Sequence, residues 1–226
     1  WQVCRQHCQQ LLQLGWPISL QVGGELLCGT ILAYLLGLYG VSALAAAQIT
    51  SQYVLLFIMV SIALSSAVSI RVSQELGAGN RYALQQNIVA GLLLISLVAS
   101  VFAAAFLWMP TWLVDTYLNI DHPHHTALVD YAVDFLMIAA VYVAFDGVRN
   151  LLTGGLRGLH DPKVPMKIGL GCLWLVGLPC AAALGFVYPG GAVWLRAGYL
   201  AGVAVGTVWV ALRCRVKLQE LMMDTQ

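Results

Sequence analysis

Apolar and polar positions along the chain fall into long blocks rather than a short alternation. Apolar runs cover about residues 17–40, 44–70, 83–108, 129–156, 168–187 and 193–212. Each is close to the roughly 20 residues that a helix needs to cross a hydrocarbon core, so the pattern predicts six membrane spans. The segments between them carry the punctuation. Trp1 to Leu14 is polar and Gln-rich and reads as a short surface helix or the tail of a connector, with Pro17 in the first turn of span one. Val41 and Ser42 form a short link, Gly77-Ala-Gly-Asn a turn, and Pro110 a stop after span three. The Asp161-Pro162 and Val164-Pro165 steps are expected to break the chain after span four. Pro179 interrupts span five, and Tyr188-Pro-Gly-Gly turns the chain into span six.

Composition agrees with this pattern. Of 226 residues, 60% are hydrophobic and only 9% charged, against about 25% charged in soluble domains. The fold class expected is an all-α membrane protein, a six-transmembrane-helix bundle. Without a basic run or an aromatic-and-basic alternation, nothing in the chain suggests nucleic acid. The charges that exist are ordered. Arg5, Arg71, Arg81, Arg157, Lys163, Lys167, Arg213, Arg215 and Lys217 fall on one side of the six spans, with Arg149 near that end and only Arg196 at the other. The positive-inside rule then puts both termini of this multi-pass membrane protein in the cytoplasm. The segment 111–130, with Asp115, Asp121 and Asp130 and no Lys or Arg, becomes an outside loop.

Two acids stand inside the apolar runs. Asp146 lies within the fourth run, Tyr131–Gly158, with Tyr142 one turn before it and Asn150 one turn after. Glu25 lies within the first, among Gly23, Gly24 and Gly29, small residues that let another helix or a solvated cavity approach. A carboxylate in hydrocarbon costs about 2.5–3.5 kcal/mol on insertion scales, so it faces a partner or water and is by default a functional candidate. The bland reading is a structural ion pair between Asp146 and Arg149, three residues on. From the helix rise, Glu25 lies about 12 Å and Asp146 about 15 Å from the same membrane face. Two carboxylates at one depth, with a Tyr hydroxyl near, make a hard-oxygen site for a small cation or a proton. Gln48, Ser51 and Gln52 are polar groups of the second run, suited to bonding between helices or to lining a path.

Other metal candidates are weaker. Cys4, His7 and Cys8 are near one another but lack a second ligand pair, and His122, His124 and His125 read as solvated loop residues. The six cysteines are read as reduced thiols. The chain opens at Trp1 without an initiator Met, which points to sequence upstream.

Several strings resemble the multidrug and toxic compound extrusion (MATE) family, in its NorM-like branch. LGWPISLQVGGE resembles the opening of that family's seventh helix, LAAAQI the start of its eighth, RVSQELGAGN the loop that follows, and DGVRNLLTGGLRGLHDPKVPM the tenth helix and its exit. The resemblance implies an antiporter of twelve helices in two six-helix lobes, of which this chain is the C-terminal lobe and the N-terminal lobe is the partner. It implies export of organic cationic, amphipathic compounds by alternating access, driven by Na⁺ or H⁺ as coupling ion, with no cofactor. On the family's pattern the cation site falls on Glu25, Asp146 and Tyr142, with Na⁺ held by Glu25 and Asp146 if sodium is the ion. Gln48 matches a polar position of the eighth helix, and Gln52 and Asn150 join it as candidates for the substrate or cation path. Ala47 stands where the family commonly has a His. Competing expectations are a flippase for a lipid-linked precursor, an intramembrane hydrolase using the two acids as a dyad, and a scaffold lobe without transport. A flippase favours Arg and Lys in mid-span, and neither Gly-Gly-Glu nor Phe-Asp-Gly supplies a catalytic motif.

Overall fold

The structure, a computed structural model, describes residues 5–117, 126–188 and 190–223. Cys4, Asp121, His122, His124 and His125 lie outside these. The elements are α1 (Arg5–Gly37), α2 (Val41–Gly77), α3 (Arg81–Trp108), the short α4 (Pro110–Asp115), α5 (Thr126–Gly158), α6 (Lys163–Gly171), a π-helical turn (Cys172–Gly177), α7 (Leu178–Val187) and α8 (Gly191–Met223). Among the described residues there are six segments long and apolar enough to cross a membrane, α6 through α7 counting as one.

The helices outrun the apolar blocks that mark them. α1 begins at Arg5 and runs unbroken through Pro17, so the polar leader is part of the first long helix and Pro17 is interior to it. The physical reason is local: a proline withdraws one backbone hydrogen bond from the ladder, and the Gln and Leu residues before it are good helix formers. The first connection is likewise displaced. α1 ends at Gly37, Gly40 adopts φ 108°, which only glycine takes readily, and Val41 and Ser42 already belong to α2. At the next turn Gly79 has φ 73°, and the Asn80 side chain accepts a bond of 3.3 Å from the Ala83 N–H to cap α3. After α5 the chain turns at His160, φ 60°. Asp161-Pro162 lies in this turn, whereas Val164-Pro165 sits inside the first turn of α6, where a missing N–H goes unmissed. Arg213 of α8 holds the turn by donating to Asp161 from Nη2 at 2.8 Å and Nε at 3.3 Å.

Pro179 does not interrupt the fifth span by a break. Its ring and absent N–H conflict with the carbonyl one turn earlier, and the chain responds by widening the preceding turn to π geometry, so that Leu178 N–H reaches back to Leu173 O.

α5 is the centre of the bundle, packed against α2, α3 and α8. Its Phe135, Leu136, Val143 and Leu151 are fully covered, and Gly147 admits Phe57 from α2 and Ile95 from α3. With lipid as apolar as leucine, close packing and hydrogen bonds between helices supply the association. Ser65 of α2 donates to Asn150 O at 2.7 Å and Thr207 of α8 to Phe145 O at 3.1 Å, both on α5. The π-helical turn and α7 meet α8 along small residues, Gly177 against Gly202 and Ala181 against Gly198. A side chain at Gly198 would bring its Cβ within 2.5 Å of the Ala181 backbone, so the helices themselves must part. Gly198→Val is therefore expected to destabilise the lobe by about 1–3 kcal/mol, read as a lowered thermal midpoint in detergent.

Candidate functional site

α1 and α5 bring the two membrane acids to one side chain. Asp146 sits in the middle of α5, and Arg149, three residues on, lies over the same face. Arg149 Nη2 donates to Asp146 Oδ1 at 2.8 Å, and Nη1 reaches across to Glu25 Oε1 of α1 at 2.9 Å. Asn150 Nδ2 donates to the other oxygen of Asp146, Oδ2, at 2.8 Å. On the α1 side Gln21 Nε2 donates to Glu25 Oε1 at 3.1 Å and its own Oε1 accepts from Arg157 Nη2 at 3.1 Å. The result is one hydrogen-bonded line running Arg157, Gln21, Glu25, Arg149, Asp146, Asn150.

Burial is uneven along it. The side chains of Asp146 and Arg149 are 1% and 5% exposed, whereas Glu25 keeps 26%. Space for the guanidinium comes from glycines on two neighbours: Gly169 of α6 faces Arg149 Nη1, Gln21 and Glu25, and Gly206 of α8 faces the Arg149 stem and Cys172. The third guanidinium nitrogen, Nε, is buried without a hydrogen-bond partner. Two carboxylates and one guanidinium leave the core of the cluster one net negative charge.

Tyr142, one turn before Asp146, stacks on Tyr199 of α8 with ring centroids 6.3 Å apart. Asn150 joins the cluster. Gln48 and Gln52 do not; they lie on the exposed face of α2. Their layer is that of Arg196, which donates to Ala47 O at 3.0 Å and lies over the Phe135 ring at 4.5 Å. Arg196 is separated from the Arg149 layer by the α8 stretch to Gly206, about 15 Å of rise. Sequence reasoning missed Gln21, although its position four residues before Glu25 signals a partner. It also read Arg157 only as a cytoplasmic charge. The Asp146–Arg149 ion pair considered as the bland alternative is present, extended to a second acid. Cys28, Cys172, Cys180 and Cys214 are free thiols, and among the described residues no group of three or more His, Cys, Asp or Glu is placed to hold a metal ion. A groove of about 530 Å³ between α1 and α6, lined by Leu20, Gly24, Leu27, Leu170 and Trp174, lies beside the cluster but takes in none of its charged groups.

With this geometry in view, comparison with known proteins is informative. The family model MatE matches residues 17–183. The chain belongs to the MatE family. It is 34% identical over 198 residues to a probable multidrug resistance protein NorM of Synechococcus, covering 88% of this chain and 43% of that protein. It is 36% identical over 205 residues to the probable NorM of Pseudomonas aeruginosa, covering 89% and 42%. This MatE chain thus spans less than half the length of those two relatives. Solved structures share its fold. The Vibrio cholerae MATE transporter VcmN in its bent form superposes with TM-score 0.85 at 18% identity, over 98% of this chain and 49% of that one. An outward-facing multidrug resistance MATE transporter superposes with TM-score 0.88 at 12% identity, over 97% and 48%. The MatE chain is a multi-pass membrane protein whose six-helix fold corresponds to about half of a MATE transporter, within a family of transporters rather than enzymes.

Proposed function

We propose that this lobe is half of a multidrug exporter that couples outward movement of cationic, amphipathic compounds to inward movement of Na⁺ or H⁺. A second six-helix lobe is the partner, the inner membrane the location, and the cytoplasm the side of both termini. The observation that carries the reading is the pair of carboxylates, Glu25 and Asp146, brought to one guanidinium inside a membrane-spanning bundle. A lobe stabilised for its own sake gains little from such a cluster, because a buried ion pair is no better for stability than well-packed apolar residues. An exchanger gains a site whose charge a passing cation or proton can change. The bound cation then biases the equilibrium between two arrangements of the lobes by its different affinity for each. Tyr142 and Asn150 border the site. Gln48 and Gln52, on the exposed face of α2, are proposed to contact substrate in the cavity between lobes.

The test is transport by the two-lobed protein in proteoliposomes loaded with a fluorescent organic cation. Dye efflux is expected to accelerate under an imposed inward gradient of Na⁺ or H⁺ and to fall to the leak rate when an ionophore dissipates that gradient. Efflux that ignores both gradients overturns the coupling, and absence of dye movement under all conditions overturns export.

A further inference from the structure

Resting on that reading, we infer that Arg149 is a tethered counter-cation of the carboxylate site: it limits the site to one exogenous monovalent cation or proton, and it yields Glu25, not Asp146, to that cation.

Glu25 and Asp146 without Arg149 would present two negative charges, enough to hold two monovalent cations or one divalent ion. The guanidinium lies between them, at 2.9 Å and 2.8 Å, in the place a shared free cation would take, and cancels one of those charges permanently because arginine does not deprotonate. One charge remains for exchange on the three side chains in direct contact; the second guanidinium of the line, Arg157, reaches Glu25 only through Gln21. A site neutralised in this way also avoids carrying two bare carboxylates through the membrane whenever no exogenous ion is bound.

The two arms of the bridge differ in how firmly they are enclosed. Asp146 is bonded on both oxygens, by Arg149 and by Asn150, from groups on its own helix, and is 1% exposed. Glu25 stands on a different helix, takes both Gln21 and Arg149 on one of its two oxygens, Oε1, and is 26% exposed. An incoming cation therefore meets Glu25 first and finds there the contact that is least enclosed. α1 packs chiefly on α6 and α2, and among the described residues the Arg149–Glu25 bridge and the Arg157–Gln21 bond are its polar links to α5. Releasing Glu25 loosens one of those two links, which ties ion entry to the seating of α1 on the central helix. Arg149 is on this account a positioning residue that sets stoichiometry.

The experiment measures cations taken up per two-lobed transporter, Na⁺ by titration calorimetry and H⁺ by indicator dye, in wild type and four variants. Wild type is expected to take up one charge. Arg149→Gln is expected to bind at least tenfold more tightly and to approach two charges. Arg149→Lys, which keeps the charge but lacks the fork that spans both acids, is expected to keep one charge with an affinity raised several-fold. Arg149→Gln with Glu25→Gln returns to one charge. Should Arg149→Gln not fold, the lysine variant and the double variant carry the test. Uptake by Arg149→Gln or Arg149→Lys that matches wild type in number and affinity overturns the counter-cation, even if Asp146→Asn abolishes uptake and the coupled reading stands. Uptake that appears only when Arg149 is replaced overturns both the one-cation count and coupling in the natural protein.

Discussion

Arg149→Met is expected to destabilise the lobe by about 3–5 kcal/mol, with most of the loss returning when Glu25→Gln and Asp146→Asn are added to it. Methionine matches the length of the arginine stem and packs against Gly206 without a clash, so the change isolates the charge. What remains is a carboxylate at 1% exposure facing another across the space the guanidinium filled. Among the described residues neither charge keeps a cationic partner within hydrogen-bond reach, while Asn150 and Gln21 still donate to them. Neutralising both acids removes the repulsion and the uncompensated charge together, and buried ion clusters replaced as a whole by neutral side chains are often no less stable than the original. The signature is thus a strongly non-additive cycle, measured by denaturant or thermal unfolding in detergent. A bound cation supplies the missing countercharge, so Na⁺ stabilises Arg149→Met more than wild type, by mass action. A single variant within about 0.5 kcal/mol of wild type means that water reaches the cluster freely and that the guanidinium is dispensable.

Much of the fold is legible in the sequence because hydropathy marks what lipid can solvate. The six blocks stand out without any knowledge of packing, since a bilayer admits uninterrupted apolar helices and little else. Helix ends are less legible, for a reason visible at Pro17 and Val164-Pro165. A proline costs a helix one hydrogen bond in its interior and nothing in its first turn, so its presence marks a boundary only when the residues around it also favour ending. Pro179 shows a third outcome, a π-helical turn that keeps the span continuous, which no residue pattern in Cys172–Gly177 announces.

The site divides in the same way. The Asp146–Arg149 pair is local, three residues apart on one helix, and spacing alone supports it. The reach from Arg149 to Glu25 joins residues 124 positions apart. Helix rise puts the two acids at one depth, but whether they face each other depends on how α1 and α5 are rotated. That rotation is set by contacts such as Gly24 against Leu170 and Gly169 against the cluster, which are invisible to a count of residues. Gln21 is the opposite case, a partner at four-residue spacing from Glu25 that the sequence displays openly. Gln48 and Gln52 illustrate the limit of grouping by polarity: they share a membrane with the acids but sit in the layer of Arg196.

Asp146→Asn in the two-lobed transporter is expected to abolish gradient-driven efflux, leaving the leak rate, while the protein stays folded and still binds the organic cation. The substitution keeps shape and most hydrogen bonds: the asparagine oxygen accepts from Arg149 Nη2, and a flip of the Asn150 amide offers its oxygen to the new N–H₂ group. What changes is the charge. Glu25 and Arg149 alone sum to zero, so the site no longer attracts a cation and an ion gradient has nothing to act on. Loss of one charge-assisted bond costs about 1.5–3 kcal/mol, less than removing Arg149, because no carboxylate is left bare. Glu25→Gln makes the same change in charge at the more exposed arm and is expected to give the same uncoupled phenotype with a smaller loss of stability. Asn150→Ala leaves both charges in place and is expected to retain coupled efflux at reduced rate. These three variants separate charge from architecture: efflux by Asp146→Asn that still follows the gradient would reduce Asp146 to the counter-ion of a structural arginine and move the coupling ion elsewhere in the protein.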